Sequence, residues 1–208
     1  MQYPFLIGES LRFGWHTMRA HSAVVFGVVL TLLALQVATL VLQKVLEGTA
    51  LGSLAEVVLA VAAFVLSIGA ARITLRLAQG HTVHYRDLLP PVAFLWPYFA
   101  ASVLAGLCVL GGLILLILPG LWIAVRLSMT RFEILEGAGI LESLKKSWAL
   151  THGHFWRLAL FFVVVALVNI AGALLLMIGL LISIPVTMIA YAHVYQKLKA
   201  VHRPHYHS

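Results

Sequence analysis

Residues 142–157 read ESLKKSWALTHGHFWR, and the apolar run LALFFVVVAL follows directly at 158–167. Residues 9–21 read ESLRFGWHTMRAH and lead into SAVVFGVVLTLLAL at 22–35. At one offset of 133, Glu9, Ser10, Leu11, Trp15 and His21 match Glu142, Ser143, Leu144, Trp148 and His154. A charged, tryptophan-bearing approach to a hydrophobic wall is written twice. In a helix over 138–152, Leu141, Leu144, Trp148 and Thr151 share one face, with Glu142, Lys145, Lys146 and His152 largely on the other. The first copy groups Ile7, Leu11, Trp15 and Met18, with Glu9, Arg12 and His16 elsewhere.

This pattern predicts short amphipathic helices lying in a membrane interface. Tryptophan settles at that depth, and basic groups meet the anionic head groups of the cytoplasmic leaflet. The other reading makes each approach only the polar first turns of the following span. The lipid-interface candidates are Arg12, Trp15, Arg19, Lys145, Lys146, Trp148, Trp156 and Arg157.

The composition says what surrounds the chain. Of 208 residues, 62% are hydrophobic and 10% charged, where a soluble globular chain carries about 25% charged. So few charges cannot cover a water-facing surface, and the expected solvent is lipid. Apolar stretches near 23–43, 54–76, 95–111, 112–135, 155–177 and 179–198 approach or exceed the roughly 20 residues needed to cross a bilayer. The stretch at 23–42 is too long for a signal-peptide core of about 7–15 residues and is expected to be retained. Cys108 is the single cysteine and lies inside a span. The net charge of +7 belongs to topology rather than to a nucleic-acid partner, since no aromatic-and-basic surface motif accompanies it.

Of fourteen Lys and Arg residues, only Lys44 falls on one side of this six-span layout. The clusters from Arg12 and Arg19 through Arg72, Arg76, Arg86, Arg126, Arg131, Lys145, Lys146 and Arg157 to Lys197, Lys199 and Arg203 fall on the other. The positive-inside rule makes that side cytoplasmic. Both termini are then cytoplasmic. The expected fold is an all-α membrane protein of six transmembrane helices in three hairpins, with cytoplasmic amphipathic interfacial helices. A third, degraded approach precedes the third span: HTVHYRDLLPPVAFLWPYF carries Asp87-Leu88-Leu89 and Trp96, with Pro90-Pro91 breaking any long helix there. One membrane domain, 1–208, thus divides into units 1–80, 81–137 and 138–208. In the two fused span pairs, Gly111-Gly112 and Gly179 precede Pro119 and Pro185 at similar spacing. Glycine admits the positive φ of a tight turn, so the turns are expected at the glycines; a turn at Pro119-Gly120 is the alternative.

The stretch LPGLWIAVRLSMTRFEILEGAGILESLKKSWALTHGHFWRLALFF, residues 118–162, resembles a group of bacterial integral membrane proteins. The group includes YciC-like proteins and the membrane domain of some glycerophosphodiester phosphodiesterases. The shared pattern is an apolar run into Pro119-Gly120, a span ending in the acidic segment Glu133 to Glu136, Ser147-Trp148, and the entry Gly153 to Arg157. The resemblance implies a six-span protein of the bacterial inner membrane with helices on the cytoplasmic surface. The catalytic barrel of those phosphodiesterases has no counterpart in this sequence.

Ionisable residues inside spans are costly and are functional candidates by default. Arg126 reads as an anion-binding or polar site inside the bundle, or as an arginine snorkelling to the interface and paired with Glu133, about 10.5 Å further along a helix. Asn169 and Gln36 read as amides bridging helices. Glu56 falls near the outer end of the second span. Ala63, Ser67 and Ala71, and Ala101 and Ala105, read as close-packed seams.

The ten histidines, including His152, His154, His202, His205 and His207, show no convergent metal-site spacing. No GxSxG, P-loop or dinucleotide fingerprint appears. The expectation is a non-enzymatic protein without cofactor or metal that engages anionic membrane lipid. A transporter or channel, or a subunit of one, is the alternative. An accessory domain for a lipid-metabolising enzyme is a further one.

Overall fold

A computed structural model describes residues 5–47, 49–174 and 179–202. Among these the chain is helical, with no strand. The elements are α1 (Ile7–Ala20), α2 (Ser22–Val45), α3 (Ala50–Ala78), 3-10 turns at Tyr85–Leu88 and Val92–Phe94, α4 (Leu95–Leu115), α5 (Ile117–Leu127), α6 (Thr130–Leu135), α7 (Ile140–Thr151), α8 (Phe155–Leu174) and α9 (Leu180–His202). Four stretches, Ser22–Val45, Ala50–Ala78, Tyr85–Leu115 and Phe155–Leu174, are long and apolar enough to cross a membrane. Their outward faces stay apolar: α2 exposes Leu30, Leu33, Val37 and Leu40, and α3 exposes Leu54, Val57, Val58 and Val61. Apolar surface this continuous marks contact with lipid or another protein.

The other two expected spans differ from the four. The span expected at 112–135 is broken into α5 and α6 at Ser128-Met129. α9 is less apolar because it is the inner helix. Ser183, Thr187, His193 and Tyr195 are buried on it together with Val186, Ile189, Ala190, Val194 and Leu198. Helices α1, α2, α3, α7 and α8 all contact it.

The turn between the third and fourth expected spans lies at neither Gly111-Gly112 nor Pro119-Gly120. α4 runs to Leu115, and the single extended residue Leu116 joins it to α5. The glycines serve close approach instead. A Cβ on Gly112 would come within 2.8 Å of the Gly120 Cα on the facing helix. Pro119 falls in the first turn of α5, where the missing N–H costs no helical bond. At the other pair, Gly179 forms a turn immediately before α9, and Pro185 lies near that helix's beginning; residues 175–177 of the expected fifth span lie outside the described residues.

Pro90-Pro91 separates the two 3-10 turns, so the third approach is not an amphipathic α-helix. Ser67 is exposed, and the close contact on α3 is made by Gly69, whose missing Cβ admits the Leu88 carbonyl oxygen. Among the described residues three connections need left-handed backbone, and glycine supplies it: Gly80 (φ 76°) after α3, Gly137 (φ 94°) between α6 and α7, and Gly153 (φ 78°) between α7 and α8.

Each approach segment lies against helices of the bundle. The 85–88 turn packs on α3, α7 packs on α5 and α6, and α1 closes the circle on α9. At each crossing a nitrogen-bearing side chain meets an aromatic ring of the approach. Arg72 lies 5.7 Å from the Phe94 ring, Arg126 lies 5.3 Å from the Trp148 ring, and His193 stacks on Phe13 at 4.2 Å.

Candidate membrane-interface site

The inward faces of α1 and α7 are made of small residues. On α1, Ser10, Gly14 and Met18 are buried, and on α7 Ser143, Ser147, Leu150 and Thr151. Ser10, Gly14 and Met18 stand at the same offset of 133 from Ser143, Ser147 and Thr151. The expected apolar faces divide between two environments: Leu11 and Leu144 pack against the core, while Met18 and Thr151 are buried. Leu141 is exposed, and the tryptophans face outward, 40% exposed at Trp15 and 38% at Trp148. At Gly14 the reason is steric, because α1 lies so close to α9 there that no side chain fits between. A Cβ on Gly14 would run into the Val186 carbonyl oxygen and sit 3.2 Å from the Ala190 nitrogen.

On α7 the small residues also do polar work. The α5–α6 break frees backbone groups, which are costly away from water. The Ser147 hydroxyl donates to the Arg126 carbonyl at 2.8 Å and accepts from the Met129 N–H at 3.1 Å. Thr151 also donates to the Arg126 carbonyl, at 3.3 Å. The Tyr191 hydroxyl of α9 donates to the Ser128 carbonyl at the same break.

The basic candidates lie on the outward side. Arg12, Arg19, Lys145 and Lys146 are exposed. Arg19 sits 5.8 Å from the Trp15 ring. Lys146 pairs with Glu142 at 2.7 Å, and the Glu142 carboxylate also accepts the Gly139 N–H at 3.2 Å. The hydrogen bond from Lys146, then that from Gly139, holds the Glu142 carboxyl below its ordinary pKa, and the same pair raises that of Lys146. Trp156 is 82% exposed. Arg157 is half-buried and donates to the Phe5 carbonyl at 3.2 Å, tying the start of α8 to the approach of α1. Beside it, burial first, and then the Arg157 and His202 charges, lower the His154 pKa. Arg203, His205 and His207 lie outside the described residues.

Arg126 does not pair with Glu133. It is 8% exposed and lies between two indoles, 5.0 Å from the Trp122 ring and 5.3 Å from that of Trp148. Those indoles meet edge to face at 4.9 Å. Its Nη1 donates to the Trp148 carbonyl at 3.4 Å, and its buried Nε has no partner among the described residues. Glu133, buried, instead accepts from the Tyr195 hydroxyl at 2.8 Å. The same hydroxyl lies 3.0 Å from Glu136, which also holds Gln79, Gln196 and Lys199. This cluster clamps the ends of α3, α6 and α9 together. Asn169 bridges α8 to α9, accepting from Ser183 at 2.9 Å and donating to Thr187 at 3.3 Å. Gln36 makes no such bridge evident; it is exposed on α2.

Sequence reasoning missed Ser147, Thr151 as a polar group, Trp122, and the Tyr195–Glu136 pair. Trp122 was findable, since it precedes Arg126 by four residues and so shares its helix face. Tyr195 meets Glu133 across 62 positions, and no local spacing announces that contact.

By fold and site, this is an all-helical protein with four helices apolar enough to cross a membrane. Residues 88–202 match a family described as a domain of unknown function, DUF7847. The match spans more than half of the 208 residues, and the chain belongs to that family. No curated protein and no solved structure matches the chain.

Proposed function

We propose that the chain is a non-enzymatic, six-span membrane protein that gathers anionic phospholipid around its cytoplasmic ends. In this reading α2–α3, α4 with α5–α6, and α8–α9 are three membrane hairpins of units 1–80, 81–137 and 138–208. Both termini are cytoplasmic, in a bacterial inner membrane. The proposed kinship with YciC-like proteins and phosphodiesterase membrane domains is part of the same reading.

One observation carries it. The two approach helices turn matching small-residue faces inward at one offset, which leaves Trp15, Trp148 and their basic neighbours outward. Indole at interface depth beside Lys and Arg is the chemistry that meets anionic head groups. The residues that would favour a transporter, Arg126 and Asn169, engage separate partners: the indoles of Trp122 and Trp148 for one, Ser183 and Thr187 for the other.

The test is extraction of the full chain into native nanodiscs, without detergent, followed by mass spectrometry of the co-isolated lipids. Wild type should carry anionic lipid above the bulk fraction, and R12E/R19E/K146E should lose that excess. Equal lipid composition in the two would refute the proposal.

A further inference from the structure

Arg126 is the one buried Lys or Arg among the described residues. Arg76 pairs with Asp87 at 2.8 Å, and Lys199 pairs with Glu136. Among the described residues no carboxylate forms an ion pair with Arg126 or with Lys145. A guanidinium that is 8% exposed, with an unpartnered Nε, calls for an anion. Phosphate oxygens suit it, because the planar guanidinium offers paired donors.

The surroundings say what carries the phosphate. Trp122, which covers Arg126, lies between two open apolar grooves. One, of about 720 Å³, runs between α5 and α8 past Leu118, Val125, Trp156 and Ala159. The other, of about 480 Å³, runs past Cys108, Ile123, Leu127 and Leu144 to Trp148, with Lys145 on its wall. Both volumes fall within the roughly 300–1,000 Å³ typical of ligand sites. Polar surface is almost absent from either, so a soluble phosphate ester would leave them unfilled. Arg126 itself lines neither groove, but Trp122, whose ring lies 5.0 Å from its guanidinium, lines both; two apolar grooves meeting at that indole fit the shape of a diacyl phospholipid, and Lys145 favours one with a net negative head group.

We propose that Arg126, held between Trp122 and Trp148, binds the phosphodiester of an anionic diacyl phospholipid whose chains occupy the grooves on either side of Trp122. This site deepens the reading above and rests on the chain being embedded in lipid. It is distinct from the diffuse surface charge of α1 and α7, and the two separate by experiment.

The test is native mass spectrometry of the full chain in mild detergent, titrated with phosphatidylglycerol. Wild type should retain a single phosphatidylglycerol against phosphatidylcholine in excess. R126Q removes the charge-assisted contact and should weaken retention by about tenfold or more. A159W fills the α5–α8 groove while leaving Arg126 in place, and should weaken retention as well. R12E/R19E/K146E should keep the single lipid even where annular enrichment in nanodiscs is lost. Thermal melts identify a variant that has failed to fold, and A159W then carries the test if R126Q is the one. Equal retention by wild type and A159W, no retained lipid in wild type, or displacement of the lipid by inorganic phosphate would each overturn the proposal.

Discussion

Ser147→Ala tests whether the α5–α6 break is held by side chains of α7. The Ser147 hydroxyl is the partner of the Met129 N–H, at 3.1 Å, and donates to the Arg126 carbonyl at 2.8 Å. Alanine removes both contacts. The Arg126 carbonyl keeps Thr151 at 3.3 Å, so that loss is partial. The Met129 N–H is left buried without this acceptor, which costs about 1–3 kcal/mol. Ser143→Ala is the matched control: Ser143 is equally buried on the same face, but among the described residues its hydroxyl bonds only the Ile140 carbonyl of its own helix, at 2.7 Å. That change should stay within about 0.5 kcal/mol. Equilibrium unfolding in mixed micelles, followed by far-ultraviolet circular dichroism, measures both. The expected result is S147A destabilised by about 1–3 kcal/mol and S143A close to wild type. Equal stabilities would mean that the break is satisfied some other way, and the role assigned to α7 would fall.

Further consequences can be measured by the same methods. Gly14→Ala should destabilise by about 1–3 kcal/mol, because its Cβ meets the Val186 backbone; Gly8→Ala, with open space around it, should be neutral or stabilising by up to about 1 kcal/mol. Asn169→Leu should cost about 0.6–1.7 kcal/mol, the range for a hydrogen bond between membrane helices. His154 should make stability pH-dependent. Its folded pKa is lowered, so the unfolded chain binds the proton more readily, and the contribution present above the ordinary histidine value of about 6.5 fades as pH falls through the lowered one. Melts between pH 8 and pH 5 should therefore show a steeper loss on acidification in wild type than in H154Q, and identical slopes would count against it.

Much of the architecture was legible before any coordinates. Long apolar runs announce helices that cross or line a membrane, Pro90-Pro91 announces the break before α4, and a mid-span amide such as Asn169 announces a bridge between helices. The inward faces of α1 and α7 were not legible. Ser10, Gly14, Ser143 and Ser147 carry little hydrophobicity, and their burial follows from how closely a neighbouring backbone approaches. The same ambiguity explains Gly112. A glycine permits a turn and a close contact alike, and only the facing Gly120 decides between them. Arg126 could be flagged as costly, yet its indole cage draws on Trp148 from another helix. Glu133 finds Tyr195 rather than its sequence neighbour on α5, because α9 runs through the middle of the fold.

The central claim is that α1 and α7 place their tryptophans among anionic head groups. A chain keeping Trp15 as its sole tryptophan, with Trp96, Trp122, Trp148 and Trp156 replaced by Phe, can be reconstituted with brominated lipid. At equal mole fraction, brominated phosphatidylglycerol should quench Trp15 fluorescence more strongly than brominated phosphatidylcholine, and R12E/R19E should abolish the difference. Equal quenching by the two lipids, or none by either, would contradict the account.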